Sequence, residues 1–405
     1  MRVEFQIVHV EHLADTVGTI AGSGNNGQSF QILNGRFEYR ELVPNAPLNP
    51  DSSCLLGDGS ATTQLRKIWA DTNREGLIIP SGEIKLTNFI VFGNQNLLLS
   101  QQDSVCLVGG VVNWGVEYAR EFITNHFSST VGFEWTRPGE CFVVDIPTGL
   151  PKISRAGVLM GSPGYEIYGH WLLDYGPRLL LTKLMFLGPE EWYLFPHLRS
   201  WAMEFLSAFG VKREICGFDN DAGFRQYEFC RMPSGAKNGF RLASPTNKLA
   251  WIWLRDVFRM QPFPIRELGA IRPSDKIYVS RKSWGSSRTI SNADHLEQIA
   301  TKRGYTIIHP EKFSVTAQAK IFQQARIILG EDGSGLHNII FSDPGCVLGV
   351  VGTHDRINLW HMGICQQLGH KLAYELSSLD REGHRKIDED KFHSMIDLLE
   401  SESAL

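Results

Sequence analysis

The sequence predicts an α/β protein in which a β-rich N-terminal region precedes two Rossmann-like lobes. At 405 residues the chain is longer than one compact core usually organises. Its first third contains short apolar runs separated by Gly, Asn and Asp, which is typical of strands and turns. Runs of strand length and of helix length then alternate in two separate stretches, a pattern that indicates parallel sheets. We therefore expect a β-rich region over residues 1–145, a first lobe over 146–265, a second lobe over 266–385 and a final helix over 386–405.

The individual elements follow from apolar periodicity and from turn residues. The predicted strands of the β-rich region are 5–10, 30–33, 77–80, 84–92, 96–100 and 105–112. The first lobe is predicted to alternate strands at 158–161, 192–195 and 215–218 with helices at 168–187 and 198–209, and to end in a core helix at 247–260.

The second lobe shows the clearest alternation. Ser314 is expected to cap a helix that runs to Gln324. Ser291 and Asp294 resemble a capping box at the start of an earlier helix, which ends at Gly304. A doubly wound sheet binds ligands at the carboxyl ends of its strands. The predicted strands are 277–280, 305–308, 326–329, 347–351 and 372–376, and the remaining helices are 336–341, 358–368 and 389–399.

Composition excludes several classes of protein. The formal net charge of −4 argues against a nucleic-acid partner, because such proteins carry a basic surface. The seven cysteines include no CxxC pair, so we expect reduced thiols and no structural zinc. The N-terminus lacks the pattern of a secretion signal, and no apolar run is long enough to span a bilayer. We expect a cytoplasmic protein; peripheral association with the inner face of the membrane and homo-oligomerisation stay open.

The loop Gly330–Asn338 is the first segment that could carry chemistry, because it leaves a buried strand and enters a helix. Glycines allow the backbone to approach a ligand closely, and the amides at a helix start favour a phosphate. The alternative is a tight β–α turn that binds nothing. We favour a ligand site because the loop combines more polar groups than a turn needs. Its candidate binding residues are Glu331, Asp332, Gly333, Ser334, Gly335, His337 and Asn338.

A basic segment directly follows the predicted strand 277–280. Arg281 and Arg288 would lie at the carboxyl end of that strand, where a bidentate guanidinium suits a diphosphate, and Lys282 adds positive charge. A solvated basic loop is the alternative. The segment gains weight as a site because the glycine loop is expected at the same edge of the sheet.

His170 and Asp174 form the third candidate. At positions i and i+4 of a helix they share a face, so Asp174 could orient the imidazole. A histidine that titrates near neutral pH suits a general base for a hydroxyl group. A packed core histidine with a structural carboxylate partner explains the pair equally well from the residues alone.

Other candidates are less specific. His354, Asp355 and His361 follow the predicted strand 347–351 and could line the same edge, although single histidines at a strand end carry little information. The pair closest to a metal-binding DxD motif is in Asp219-Asn220-Asp221, and a polar turn explains it. We therefore expect no metal site.

Three stretches together resemble glycosyltransferase family 61. They are Tyr168–Leu179, Ile277–Arg281 with Arg288 and Asn292 downstream, and the Gly-x-x-Gly pattern of the loop that continues to Phe341. The resemblance covers about residues 155–352. One position departs from it: family members usually carry a His just before the second glycine of the loop, where this chain has Asp332.

The resemblance implies a GT-B-like architecture, inversion at the anomeric carbon and no obligatory metal or other cofactor. It implies that the second lobe binds a nucleotide sugar, with UDP as the expected nucleotide, and that the first lobe offers the base and the site for a glycan or polysaccharide acceptor. On that hypothesis an acceptor hydroxyl, deprotonated by His170 or Asp174, attacks the donor sugar. Arg281, Arg288 and the amides of Gly333–Gly335 would stabilise the leaving diphosphate.

Two alternatives stay open at this point. An epimerase of the same architecture would act on a sugar nucleotide without an acceptor. A catalytically silent protein would bind the sugar nucleotide without turning it over, and the departure at Asp332 keeps that alternative in view.

Overall fold

A computed structural model of the chain describes residues 1–9, 29–32, 37–43, 51–74, 81–92, 97–108, 116–128, 132–154, 157–160, 164–185, 192–195, 198–212, 216–218, 223–234, 245–269, 274–283 and 290–403. Over these residues the protein is a mixed α/β protein with two main sheets, one of thirteen strands and one of five. None of the helices in the described ranges has the length and apolar character needed to cross a bilayer.

The larger sheet combines strands from the predicted β-rich region and from the predicted first lobe. Its strands are β1 (Arg2–His9), β2 (Ser29–Ile32), β3 (Phe37–Val43), β4 (Ser81–Phe92), β5 (Leu97–Ser100), β6 (Val105–Val108), β7 (Glu134–Arg137), β8 (Cys141–Asp145), β9 (Lys152–Ile153), β10 (Gly157–Leu159), β11 (Trp192–Phe195), β12 (Cys216–Phe218) and β13 (Phe224–Ser234). They pair in the order β12-β11-β10-β13-β4-β5-β6-β1-β8-β7, and in addition β3 pairs with β4, β2 with β3 and β9 with β13.

Two kinds of pairing meet in this sheet. The strands β10, β11 and β12 are parallel, as the alternation of strand and helix predicts. Next to them, β13 pairs antiparallel with β4, in a register that runs from Phe224 opposite Phe92 to Ser234 opposite Gly82. The first 145 residues and the residues after 150 therefore share one sheet. The predicted strand 77–80 lies outside the described residues.

The helices of this part pack on the larger sheet and beside it. They are α1 (Ser60–Arg74), α2 (Val116–Phe127), α3 (Tyr168–His170), α4 (Gly176–Leu184), α5 (Ser200–Ala208), α6 (Pro245–Met260) and α7 (Ile265–Leu268). The predicted helix 168–187 is present with one irregularity, a π-helical turn over Trp171–Tyr175 between α3 and α4.

The helix α6 is part of the apolar core, as expected for the stretch 247–260. The indole of Trp251 donates to the carbonyl oxygen of Leu172 at 2.9 Å. Further along α6 the ring of Phe258 meets the ring of Phe341 edge-on, with centroids 5.5 Å apart. One apolar core therefore runs from α4 through α6 to the smaller sheet.

The smaller sheet confirms the five predicted strands of the second lobe within one or two residues. Its strands are β14 (Lys276–Val279), β15 (Thr306–Ile308), β16 (Ile327–Glu331), β17 (Val347–Gly352) and β18 (Lys371–Leu376), followed by the small hairpin β19 (Ser378–Leu379) and β20 (Arg385–Lys386). The five strands are parallel, in the order β15-β14-β16-β17-β18, which is the 2-1-3-4-5 order of a flavodoxin-like doubly wound fold.

The helices of the second lobe are α8 (Ala293–Lys302), α9 (Val315–Gln324), α10 (Leu359–Leu368) and α11 (Glu389–Ser403). The predicted cap of α9 is confirmed, because the Ser314 hydroxyl accepts from the amide of Ala317 at 3.1 Å. Gly304 ends α8 at φ +86°, a left-handed conformation that favours glycine. The predicted helix 336–341 is a 3₁₀ helix over Ser334–Phe341.

The predicted capping box at Ser291 is wrong. The helix α8 has Asn292 at its N-cap, with no side-chain cap. The Asn292 amide instead bonds to the backbone of Ile387, accepting from its nitrogen and donating to its oxygen. Asp294 forms an ion pair with Lys282. Contacts with other elements thus outcompete the local pattern that Ser291 and Asp294 suggest.

A segment of the N-terminal region lies against the edge of the smaller sheet. The amide of Leu56 donates to the oxygen of Leu372, and the amide of Leu372 donates to the oxygen of Cys54, both at 2.8 Å. The helix α1 follows, and its Leu65 and Trp69 are fully buried in the core that the second lobe shares. The edge strand β18 is therefore covered by chain that is distant in sequence.

Candidate active site

The order of the smaller sheet brings three loops together at one edge. The strand β16 lies between β14 and β17, with Val279 opposite Gly330 and Glu331 opposite Val351. Since the strands are parallel, the loops that start at Ser280, Asp332 and Thr353 all leave from the carboxyl edge. The junction between β14 and β16 is where the strand order reverses, which is the usual ligand site of such a sheet.

The glycine loop and the basic segment are in direct contact, as their positions in the sequence predict. The guanidinium of Arg281 donates through Nη1 to the carbonyl oxygen of Asp332. A β-carbon at Gly333 would overlap that guanidinium. The backbone of Gly333 is extended and would accept any residue, so the glycine is needed for the close approach of Arg281 and not for its conformation.

The two acids of the loop point into the protein. Both Glu331 and Asp332 are buried. Burial raises the pKa of the Glu331 carboxyl, and the neighbouring Arg281 offsets part of that rise. The Asp332 Oδ1 accepts from His361 Nε2 and from Asn358 Nδ2, each at 2.9 Å.

These hydrogen bonds decide the charge state of Asp332. Burial by itself raises the pKa of this carboxyl. The hydrogen bonds from His361 and Asn358, together with the electrostatic interaction with Arg356, outweigh burial, so the pKa lies below its ordinary value. Asp332 is therefore a buried carboxylate whose hydrogen bonds connect the glycine loop to Asn358 and His361.

Asn338 and Tyr168 connect the helix α3 to the glycine loop. The Tyr168 hydroxyl donates to Asn338 Oδ1 at 2.6 Å, and Asn338 Nδ2 donates to Gln318 Oε1 at 2.7 Å. Asn338 is fully buried. Its amide thus connects α3, the 3₁₀ helix and α9, and the structure gives this side chain an architectural role at the base of the site.

His170 and Asp174 are hydrogen bonded through Nδ1 and Oδ2. The Asp174 side chain is fully buried, whereas one fifth of the His170 side chain is exposed. Because an ionised carboxylate only accepts, the shared hydrogen belongs to Nδ1, and the basic atom of the neutral ring is Nε2. This nitrogen has no hydrogen-bond partner within the part of the chain that the structure describes.

The π-helical turn and two glycines set the position of the imidazole. The turn over Trp171–Tyr175 carries Asp174, and such turns are frequent at functional sites. Gly164, at φ +86°, packs so closely that a β-carbon there would come within 2.6 Å of the His170 ring. At Gly169 a β-carbon would come within 2.7 Å of both Ser334 Oγ and His337 Nδ1. The helix of His170 is thereby seated directly on the glycine loop.

Trp360 lies between histidines of the two lobes. Its ring meets that of His170 edge-on with centroids 5.8 Å apart, and that of His337 with centroids 5.6 Å apart. His337 in turn lies 5.1 Å from the ring of His361. Of the residues predicted in the loop, Ser334 and His337 lie against Gly169, the neighbour of the base candidate in the chain, while Gly335 packs against Val279 and Pro310.

Two of the basic side chains predicted to bind the donor are not found at the glycine loop among the described residues. Lys282 is exposed and forms an ion pair with Asp294, which also raises the pKa of its ammonium group. Arg288 lies outside the described residues, as do Asp219, Asn220 and Asp221. Of the described His, Cys, Asp and Glu residues, only Asp380, Glu382 and His384 are grouped closely enough to hold a metal, and they lie in the turn between β19 and β20.

Sequence reasoning missed the contribution of the loop after β17. Asn358, Trp360 and His361 all reach the site from the start of α10, and Asn358 also caps that helix by accepting from the Trp360 amide at 3.0 Å. In the sequence, His361 is a single histidine after a strand, a pattern that carries little information by itself. Its position at the carboxyl end of a strand neighbouring β16, just after an N-cap residue, is the signal that could have identified it.

Comparison with known families bears on the same residues. The model of the family described as Glycosyltransferase 61 matches residues 168–349. That range contains His170, Asp174, Arg281 and the glycine loop, and it ends before the loop that follows β17. No curated protein matches the chain.

Proposed function

Residues 168–349 belong to glycosyltransferase family 61, and from this premise we propose that the protein is an inverting, metal-independent transferase of a hexose or pentose. The donor is a nucleotide sugar, with UDP as the expected nucleotide, and the acceptor is a hydroxyl of a glycan or polysaccharide. The observation that carries the proposal is the seating of the His170–Asp174 pair on the glycine loop that Arg281 supports.

We also propose the GT-B-like division of labour between two lobes. The doubly wound order of the smaller sheet and its cluster of loops at the strand reversal support donor binding in the second lobe. The position of His170 on α3, next to Gly169, which packs against Ser334, supports an acceptor site on the side of the larger sheet. The boundaries 146–265 and 266–385 remain the proposed limits of the two lobes.

His170 is the better of the two base candidates. Its imidazole is partly exposed and its Nε2 is the basic atom, whereas Asp174 is fully buried. In the proposed reaction Nε2 takes the proton of the acceptor hydroxyl while the acceptor oxygen forms a bond to C1 of the donor sugar. The bond from C1 to the diphosphate oxygen breaks on the opposite face, and the diphosphate leaves with the electron pair. Asp174 holds the imidazole and stabilises the imidazolium that forms.

Stabilisation of the leaving diphosphate is assigned to the edge of the smaller sheet. The first amides of a 3₁₀ helix lack partners within the helix, and the helix begins at Ser334. Arg281 supplies a fixed positive charge beside them. This arrangement supports the role expected for Arg281 and the amides of Gly333–Gly335, and it requires no metal ion.

A binding screen followed by a transfer assay tests the proposal. Nucleoside diphosphates and their sugars should raise the melting temperature of the protein, because they bind only the native state. The donor found in this way should then release free nucleoside diphosphate in the presence of a glycan acceptor, with EDTA leaving the rate unchanged. A requirement for Mn²⁺ or Mg²⁺ would contradict metal independence, and binding without transfer to any acceptor would indicate a silent binding protein.

A further inference from the structure

The loop after β17 carries a cation at the same edge of the sheet as the glycine loop. Arg356 is exposed at the end of a tight turn, in which its amide donates to the oxygen of Thr353 at 3.2 Å. The turn is anchored on both sides. The amide of His354 donates to Ser377 Oγ at 3.1 Å, and Arg385 donates to Asp355 Oδ2 at 2.9 Å. The backbone that carries Arg356 is therefore held in place.

Sheet order places this turn beside the glycine loop. The strand β17 pairs with β16 up to Glu331 opposite Val351, and the Asp332 amide donates to the Val351 oxygen at 2.9 Å. Neighbouring strands are about 4.8 Å apart. The loop that starts at Asp332 is thus flanked by Arg281 after β14 on one side and by Arg356 after β17 on the other.

The charges at this edge leave Arg356 available to an anion. Asp355, its neighbour in the chain, is engaged by Arg385. Among the residues that the structure describes, Arg356 has no ion-pair partner. The buried carboxylate of Asp332 accepts from His361 and Asn358 through Oδ1, and the charge of Arg356 contributes to lowering the pKa of this carboxyl. Lys282, by contrast, is already paired with Asp294.

We propose that Arg356 binds the diphosphate of the nucleotide donor, from the side of the glycine loop opposite Arg281. The inference rests on the proposed function and adds to it a residue beyond the range that matches the family. An exposed guanidinium can form two parallel hydrogen bonds with a phosphate group, a geometry that a lysine cannot reproduce. Together with the loop amides, the two arginines would contact the diphosphate from three sides.

Isothermal titration of the full chain with UDP and with uridine tests this inference. Arg356→Gln should weaken UDP binding by about tenfold to a hundredfold, the usual range for loss of a hydrogen bond to a charged group. Arg356→Lys should lose less, and binding of uridine should not change. Arg381→Gln, which removes an exposed arginine from the turn between β19 and β20, is the matched control and should bind UDP like the wild type.

The outcomes separate this inference from the proposed function. If the wild type binds UDP and Arg356→Gln binds it equally well, Arg356 is not a phosphate ligand and the proposed function still stands. An equal loss for UDP and uridine would place Arg356 at the nucleoside and overturn the inference as well. If the wild type binds none of UDP, GDP, CDP, ADP and dTDP, both the inference and the proposed function fail.

Discussion

The imidazole of His170 is hydrogen bonded through Nδ1 to the fully buried carboxylate of Asp174, one π-helical turn away. We expect Asp174→Asn to reduce turnover by about 10²- to 10⁴-fold, the range that a positioned general base contributes. The amide keeps the shape of the carboxylate but no longer selects the tautomer with a basic Nε2. Steady-state kinetics with donor and acceptor would measure the loss, while UDP affinity should stay at the wild-type value.

The control for this pair is an exposed histidine in the turn between β19 and β20. His384→Gln alters an exposed ring and should leave turnover unchanged, whereas His170→Gln should match Asp174→Asn. Full activity in either site variant would show that the pair is structural.

The contact between Arg281 and Gly333 leads to a second prediction. Gly333→Ala should weaken UDP binding by about tenfold, because the new β-carbon displaces the guanidinium and removes one charge-assisted contact. Stability should change little, since the backbone at this position is extended. Gly59→Ala is the matched control, because a β-carbon at Gly59 meets no atom within 4 Å. Equal UDP affinity in the two variants would rule out a role for Arg281 at the ligand.

A substitution at Asn338 distinguishes a structural role of this side chain from direct contact with the donor. Asn338→Ala should lower the free energy of unfolding by about 1–3 kcal/mol, because it leaves the buried groups of Tyr168 and Gln318 without their partner. Urea unfolding would measure this loss. The folded fraction should retain UDP affinity within about twofold if the amide is architectural. A large loss of affinity with unchanged stability would return Asn338 to the set of donor ligands.

His370 predicts how stability depends on pH. Its ring is buried, and neither ring nitrogen has a hydrogen-bond partner among the described residues. Burial lowers the pKa of this imidazole from 6.5 to about 4. The folded state therefore favours the neutral ring, so its contribution to stability is complete above pH 6.5 and is lost as the pH falls towards 4. The lost contribution is of the order of 3 kcal/mol.

Urea unfolding between pH 7.5 and pH 4.5 checks this sign. The wild type should lose more stability over that interval than His370→Leu, in which the titrating group is absent. His384→Gln, at an exposed position, should follow the wild type. A parallel decline in wild type and His370→Leu would contradict the prediction.

The strands and helices around the smaller sheet could be predicted because the sequence features that indicate them are local. Each strand of the smaller sheet is a short apolar run between polar turns, and the cap of α9 lies within three residues of Ser314. The dependence on local signals also explains which elements were not predicted. The helix α1 has apolar residues at Ala61, Leu65 and Trp69, a helical spacing, yet it lies within a stretch whose composition suggests strands and turns. The helical spacing of these three residues was therefore not recognised within a region whose overall composition favours strands.

The larger sheet and the partners of Asp332 depend on contacts between distant parts of the chain. The pairing of β4 with β13 joins residues that are more than a hundred positions apart, and no periodicity in either strand identifies the other. Asp332 likewise meets His361 only because β16 and β17 are neighbours and α10 starts above them. The sequence could show Asp332 as a departure from the family pattern, but not its hydrogen-bond partners.

The sequence by itself determined the α/β class, the five parallel strands of the smaller sheet and the match of the range that contains His170, Asp174, Arg281 and the glycine loop to one family model. These are properties of local spacing and of short motifs. Only the tertiary structure decided that the acids of the loop face inward, that Lys282 pairs with Asp294 and that Arg356 reaches the same edge. Such outcomes depend on which loops meet at the carboxyl end of a sheet, and strand order sets that arrangement through non-local packing.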